Sequence, residues 1–233
     1  MEAAAILYAK DPFPGRVKTR LAAATGDVKA AKIYALLLEH ALAQLDALSP
    51  YVRTIIDVTE QRDAVPLRRR IGDLHMLRVQ EGRDIGERMR HSFDRSFADG
   101  AAMVVLAGSD VPGITTSTFT TGFDLLQHHD IVLGPARDGG YYLIGMRNSH
   151  PELFDGIPWG TSSVFEATRT LARNSGLSVG TLLVLDDIDT LAALQRWMRR
   201  NPQHPLKGSI EAVLGESRAA DFLSPTHPLH NGD

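Results

Sequence analysis

A group of carboxylates and one basic loop are the residues of this chain with the types and spacing to do chemistry. Asp110 follows the apolar run Met103-Val104-Val105-Leu106-Ala107 and sits between Gly108-Ser109 and Val111-Pro112. Asp186, Asp187 and Asp189 crowd together after a second apolar run that ends at Leu185. Acids so close repel one another unless a cation sits among them. Near the start, Lys10, Arg16, Lys18 and Arg20 fall in a stretch broken by Pro12, Pro14 and Gly15, and this density of positive charge needs an anion or open water. Hard divalent ions such as Mg²⁺ or Mn²⁺ take oxygen ligands, usually one or two carboxylates plus phosphate oxygens. The predicted chemistry is a nucleotide phosphate on the basic loop, with a metal bridging Asp110 and the Asp187/Asp189 pair to stabilise a leaving group. Each feature also has a plainer reading: a turn before Pro112, a solvated loop, and a helix cap at Asp189 or Thr190.

The elements that must position these residues are readable from apolar periodicity. Ala3 to Ala9 is a short apolar strand running into the loop Lys10 to Leu21, where two prolines and a glycine argue against helix. Val17 stands where a Walker A loop needs glycine, so a P-loop fold is not expected. Apolar residues at three- and four-residue spacing predict a helix from Asp27 to Leu48. Strands follow at Tyr51 to Val58 and His75 to Gln80, around a polar helix from Gln61 to Ile71. The segment Gln80-Glu81-Gly82-Arg83-Asp84-Ile85-Gly86-Glu87-Arg88 is a glycine-punctuated loop opening a helix to about Phe97. Its glycines Gly82 and Gly86 would admit a base or ribose close to backbone, and Arg83 or Arg88 could reach phosphate. Met103 to Gly108 is continuous rather than alternating, the pattern of a strand buried on both faces of a parallel sheet, and open α/β sheets bind ligands beyond the carboxyl ends of their strands.

Thr115 to Gln127 is a predicted helix. Asp130 to Ala136 and Tyr141 to Met146 are strands joined by Arg137-Asp138-Gly139-Gly140, a hairpin signal that makes the sheet mixed. Arg147 to Trp159 is loop, Ser162 to Asn174 helix, Leu177 to Leu185 a late strand, and Leu191 to Arg199 a last helix. Residues 1–200 read as one domain. Residues 201–233 form a Pro- and His-rich C-terminal extension, partly flexible, lying as an edge segment.

The totals narrow the classes. With 233 residues the chain can bury a full core, and with no cysteine it has no disulfide, zinc-thiolate site, iron–sulfur ligation or thiol nucleophile. A net charge of −3 does not favour a nucleic-acid surface. Gly108-Ser109-Asp110 lacks the Gly-x-Ser-x-Gly elbow of serine hydrolases, and the nine histidines show no metal-binding spacing. The first residues lack a basic signal-peptide region and no run reaches membrane-spanning length, so a cytoplasmic protein is expected.

Four motifs in order resemble an uncharacterised bacterial family (DUF2064-like) of the glycosyltransferase-A, or nucleotide-diphospho-sugar transferase, superfamily. They are Lys10 to Leu21, Gly108 to Pro112, Gly134 to Gly145 and Asp187 to Thr190, and the likeness covers roughly residues 3 to 195. The resemblance implies a GT-A fold, a three-layer αβα arrangement with a mixed, mainly parallel sheet. It implies nucleotide binding by Lys10, Pro14, Gly15, Lys18, Thr19 and Arg20, together with Gly82, Arg83, Gly86 and Arg88. Asp110 matches the family's metal-binding acid and Asp187 and Asp189 its second acidic motif, with Asp110 and Asp138 as catalytic acids. Gly139, Gly140, Tyr141 and Trp159 would line the acceptor side. The partners implied are a nucleotide sugar or nucleoside triphosphate and a small-molecule acceptor. Val111 replaces a frequent Cys, Trp159-Gly160-Thr161 differs from the usual Trp-Ser-Thr, and Leu191-Ala192-Ala193 lacks the usual Pro and acids, all on the acceptor side of the likeness or beside it. Glycosyl transfer, nucleotidyl transfer with pyrophosphate release, and nucleotide binding without turnover all remain open, as does the oligomeric state.

Overall fold

The continuous apolar runs form the centre of one seven-stranded sheet. A computed structural model describes residues 2–216; residue 1 and residues 217–233, which include the end of the expected extension, lie outside the described residues. The elements are β1 (Ala3–Ala9), α1 (Thr19–Thr25), α2 (Asp27–Asp46), β2 (Arg53–Val58), α3 (Gln61–Ile71), β3 (Met76–Val79), α4 (Ile85–Ala98) and β4 (Met103–Gly108). They continue with α5 (Thr116–Leu126), β5 (Ile131–Pro135), β6 (Tyr141–Met146), a 3₁₀ turn (Pro151–Phe154), α6 (Val164–Asn174), β7 (Val179–Thr181), α7 (Leu191–Arg200) and α8 (Pro205–Gly215).

The strand order is β3-β2-β1-β4-β6-β5-β7. β6 is antiparallel to both neighbours and the other pairings are parallel, so the hairpin predicted at Arg137 to Gly140 makes the sheet mixed as expected. Strand alternation divides the side chains between two buried faces. Ala5, Leu7 and Ala9 pack with α2, α3 and α5, through Leu38, Leu67 and Phe119. Ala4 and Ile6 pack on the opposite face with Met89 and Phe93 of α4 and Ala172 of α6. The result is three layers, helix on sheet on helix. A third cluster, built on Leu21, Ile33, Leu37, Leu194, Trp197 and Ile210, joins α1, α2, α7 and α8 beside the sheet.

Three expectations change. The basic segment from Lys10 is not loop throughout: its prolines and glycine all lie upstream of Lys18, and α1 begins immediately after it. The late strand shrinks to Val179–Thr181 and an isolated bridge from Ala136 to Leu185. Leu183 and Val184 face solvent there, so their apolar character misled the strand assignment. The first part of the C-terminal extension is a helix, α8, rather than an edge segment. Pro205 opens it, His204 Nδ1 accepts from the Leu206 amide, and Ile210 is buried against the third cluster. No helix of the described residues is long and apolar enough to cross a membrane.

At the carboxyl end of the sheet, Arg78, Asp57, Tyr8 and Gly108 form a row across the four adjacent strands β3, β2, β1 and β4. Arg78 donates to both Asp57 oxygens, at 2.8 and 3.2 Å. Ser92 of α4 donates to Asp57 and shares a 2.8 Å hydrogen bond with the Tyr8 hydroxyl. The Asp57 and Arg78 side chains are 3% and 4% exposed, and removing one member of such a pair leaves a buried charge unpartnered. Asp57→Ala is therefore expected to cost about 3–5 kcal/mol of stability in urea unfolding. A loss below about 1 kcal/mol would show that Arg78 finds water or another acceptor.

Candidate active site at the carboxyl ends of the strands

Asp110 lies just beyond β4, where the loop to α5 leaves the sheet, and the Asp187–Asp189 segment is tied to it by backbone. The Ile188 amide donates to the Asp110 carbonyl at 3.2 Å. Burial alternates along the segment and sorts its side chains. Ile188 is fully buried in the third hydrophobic cluster, while its neighbours Asp187 and Asp189 are partly exposed. The Thr190 hydroxyl caps α7 by accepting from the Ala193 amide, so the cap anticipated at Asp189 or Thr190 belongs to Thr190, and Asp189 is left for other work.

The four acids find different partners. Asp186 turns into a cluster of arginines, with Arg137, Arg196 and Arg200 at 3.0, 3.4 and 3.6 Å. Asp189 pairs with Arg20 at 2.9 Å and lies 4.0 Å from the Lys18 ammonium. Asp110 accepts from Lys18 Nζ at 2.9 Å. Burial around Asp110 opposes its charge, but the Lys18 ammonium outweighs this and holds the carboxyl below its ordinary range. Asp187 has no ion-pair partner among the described residues. Burial, then the charges of Asp138 and Asp110, push its pKa up to about 6.

Two adjoining cavities open here. The first, about 310 Å³, is lined by Tyr8, Lys10, Lys18, Thr59, Gln80, Arg88, Asp110 and Asp189, among others. The second, about 570 Å³, is lined by Tyr8, Arg20, Met89, Asp138, Gly140, Tyr141, Trp159, Thr161 and Asp189, among others. Tyr8, Ile85, Gly108 and Asp189 border both, so these four stand at the junction. The first cavity carries three cations and the second one, Arg20.

The predicted nucleotide residues therefore divide. Lys10, Lys18 and Arg88 line the first cavity, and Arg20 lines the second. Pro14, Gly15 and Thr19 are exposed and line neither cavity. Arg83 is spent on an exposed ion pair with Glu87 one turn along α4. Gly82 turns the chain and its carbonyl accepts from Arg88 Nε. Gly86 is glycine because of Trp159: a Cβ would sit 2.5 Å from the indole nitrogen, so it admits that ring rather than a nucleotide. Gly139 likewise admits backbone rather than ligand. At φ +95° its Cβ would lie 2.0 Å from the Ser162 carbonyl, which clamps the 138–140 turn to the 160–162 loop. Gly140, Tyr141 and Trp159 do line the second cavity, with Trp159 edge-on to Tyr141 at 6.4 Å between ring centres.

Among residues the sequence did not single out, Tyr8 borders both cavities. Tyr34 is buried beneath the first, its hydroxyl accepting from the Lys10 amide at 2.9 Å and bonding Ser109 at 2.8 Å. Burial pushes Tyr34 up to about 12, so its hydroxyl stays protonated. Thr59 and Gln80, at the ends of β2 and β3, complete the first cavity. The available signal was position, since each stands at the carboxyl end of a strand or faces one.

The expected three-acid metal set does not assemble. Among the described residues no group of three or more His, Cys, Asp or Glu is placed to hold an ion, and Arg20 and Lys18 lie against Asp189 instead. Asp110 and Asp187 still suit a hard cation: both are carboxylates, and Asp187, whose pKa is raised by burial and then by the charges of Asp138 and Asp110, has no ion-pair partner among the described residues. Two carboxylates with phosphate oxygens are a sufficient donor set for Mg²⁺.

The order and direction of the strands, with the cleft at their carboxyl ends, define the GT-A class of nucleotide-diphospho-sugar transferase and nucleotidyltransferase folds. A family model described as an uncharacterized protein conserved in bacteria (DUF2064) matches residues 40–161, and the chain belongs to that family. A solved protein from Desulfovibrio desulfuricans G20, provisionally named a nucleotide-diphospho-sugar transferase, is 36% identical over 95% of this chain and 96% of its own, with a TM-score of 0.84. CMP:2-keto-3-deoxy-manno-octonic acid synthetase complexed with CTP is 11% identical, covering 87% of this chain and 99% of its own at a TM-score of 0.55. Rv0371c from Mycobacterium tuberculosis H37Rv, in complex with manganese, is 15% identical over 85% of this chain and 99% of its own, at 0.52. These last two share the fold. No curated protein matches the chain.

Asp187 gives the site a pH signature. Its folded pKa, about 6, lies above the unfolded value near 3.9, so its charge destabilises the fold above pH 6, progressively less down to pH 4, and not below. Asp187→Asn is expected to raise stability at pH 7.5 by roughly 1–2 kcal/mol, discounted for solvent screening, and by nothing measurable at pH 3.5. Urea titrations at the two pH values check this, and equal effects at both would contradict the assigned strain.

Proposed function

We propose that this protein is a metal-assisted transferase that moves a glycosyl group from a nucleotide-diphospho-sugar to a small hydroxyl-bearing acceptor. The observation that carries the reading is the difference between the two adjoining cavities, with three cations beside two acids in the first and one cation beside two acids in the second. Lys10, Lys18 and Arg88 give the first the charge to hold a diphosphate, and Thr59 and Gln80 supply polar groups at the far strands for the nucleoside. The second offers aromatic walls, Tyr8, Tyr141 and Trp159, with Asp138 and Asp189 and a lone Arg20 already committed to Asp189. Aromatic faces with polar edges suit a sugar or a neutral hydroxylated acceptor. A phosphorylated acceptor, as in the nucleotidyl alternative, would meet Asp138 there, which has no ion pair among the described residues. The name carried by the Desulfovibrio desulfuricans relative agrees with this reading, and the manganese complex of Rv0371c agrees with a metal at such a fold.

In the mechanism, Lys10, Lys18 and Arg88 hold the diphosphate, and Asp138 receives the acceptor's hydroxyl proton. One Asp138 oxygen is fixed by the Gly140 amide at 2.9 Å, which orients the carboxylate. The acceptor oxygen forms a bond to the anomeric carbon as the bond from that carbon to the diphosphate breaks, and the leaving diphosphate keeps the electron pair. Asp110 and Asp187 would hold a divalent ion, which when bound supplies positive charge to the departing diphosphate. Lys18 and Arg88 supply the remainder from the protein itself.

The test begins with thermal shifts for nucleotide sugars and nucleoside triphosphates with and without Mn²⁺, since ligands that bind only the folded chain raise its stability by mass action. Nucleotide sugars that bind are then incubated with hydroxylated acceptors. Nucleoside diphosphate release is expected, with Asp138→Asn lowering kcat at least about 100-fold at unchanged donor affinity. Lys18→Ala is expected to weaken the donor by about 1.5–3 kcal/mol. Pyrophosphate release from a nucleoside triphosphate would instead establish nucleotidyl transfer.

A further inference from the structure

Lys18 is, apart from glycines, the one described residue with a positive φ, at φ 50° and ψ 44°. A residue bearing a side chain adopts that conformation at a cost, and such strain concentrates where a side chain must be aimed. Here it aims the ammonium, with the side chain 6% exposed, at Asp110 Oδ2 (2.9 Å) and Asp189 Oδ1 (4.0 Å). Flanking contacts hold the aim. Val17 is buried in the core on one side, and the Lys18 carbonyl accepts from Ala22 in the first turn of α1 on the other. The acids with which a divalent ion would bind are thus partly neutralised already: Lys18 on Asp110, Arg20 on Asp189, and only Asp187 uncommitted.

From this geometry we infer that Lys18 is a resident counter-ion at Asp110 that a nucleotide's phosphate must draw away before a divalent ion can bind there. The inference rests on the proposed function for the identity of the phosphate and the metal. Two cations compete for one carboxylate, and a small, strongly hydrated divalent ion gains little from an acid already paired with an ammonium. The ammonium carries its three donors on a flexible four-carbon stem, so it can pass from Asp110 to a phosphate oxygen without a backbone change. Once it has moved, Asp110 and Asp187 face the phosphate together, the oxygen set that a hard cation takes. Nucleotide and metal affinities are then coupled, each raising the other by the same factor. The charge of Asp138 is felt at Asp187, which adds negative charge on the metal's side opposite Lys18.

The experiment measures binding of Mn²⁺ alone to the full chain by electron paramagnetic resonance of the free ion. Lys18→Gly removes the ammonium and suits the left-handed backbone, and Lys18→Met keeps the stem's volume as a second variant should the first disturb α1. Either variant is expected to bind Mn²⁺ at least tenfold more tightly than the unaltered protein, and adding Asp110→Asn to it should abolish the gain. If Lys18→Gly and Lys18→Met leave Mn²⁺ affinity unchanged while Asp110→Asn removes the Mn²⁺ bound together with nucleotide, the counter-ion role is wrong and the proposed function stands. If Mn²⁺ binds to none of these proteins, with or without nucleotide, the counter-ion role and the metal in the proposed function fall together.

Discussion

The cleft depends on how segments of like charge are kept side by side. Asp110 and the Asp187–Asp189 segment come from loops far apart in sequence, and each carries negative charge to the same place. A hydrogen bond from the Ile188 amide to the Asp110 carbonyl fixes one to the other, and burial of the Ile188 side chain in the third cluster keeps that backbone from leaving. The carboxylates are then tolerated because cations are distributed among them one by one. Lys18 serves Asp110, Arg20 serves Asp189, and three arginines serve Asp186. Asp187 alone of the four has no such partner, and burial, then the charges of Asp138 and Asp110, raise its pKa.

Below this arrangement lies a second set of polar groups with a different task. Arg78, Asp57 and Tyr8 lie side by side across three parallel strands, linked through Ser92 of α4. Each is at the carboxyl end of its strand, where a hydrophobic side chain would satisfy packing equally well. A buried ion pair is seldom a net gain in stability over such packing, but a hydrogen-bonded network fixes the orientation of its members. Here the member so fixed is Tyr8, whose ring forms part of the wall between the two cavities. The rigidity of the floor is therefore connected to the geometry of the site.

Much of the fold was legible because the patterns that encode it are local. Buried parallel strands show as uninterrupted apolar runs, and β4 ends within two residues of the acid that the run predicts. The hairpin at Asp138-Gly139-Gly140 announces the antiparallel strand β6. The parts that were not legible depend on contacts between distant segments. Nothing adjacent to Gly86 shows that an indole some seventy residues later will lie against it, so its glycine read as room for a nucleotide. Asp187 and Asp189 likewise look alike in sequence, and only their surroundings separate an acid paired with Arg20 from one facing Asp110 and Asp138. Exposed apolar residues such as Leu183 and Val184 misled in the other direction, because hydrophobicity alone does not report burial.

The same distinction bears on the chemistry of the two cavities. Basic charge in the first loop is visible in sequence and is compatible with either a nucleoside triphosphate or a nucleotide sugar, since both present phosphates. What separates the two reactions is the charge that the second reactant brings, and that is decided by the second cavity. Its residues come from β1, α1, β4, α4, the β5–β6 turn, β6, the loop from Trp159 into α6 and the Asp187–Asp189 segment, so its overall sign emerges only when these meet. Arg20 and Asp189 neutralise one another in their salt bridge, so the charge left over in the cavity is that of Asp138. Under the proposed function a hydroxyl group donates to Asp138 directly, whereas a phosphorylated reactant would face its charge. No single motif in the chain expresses that preference.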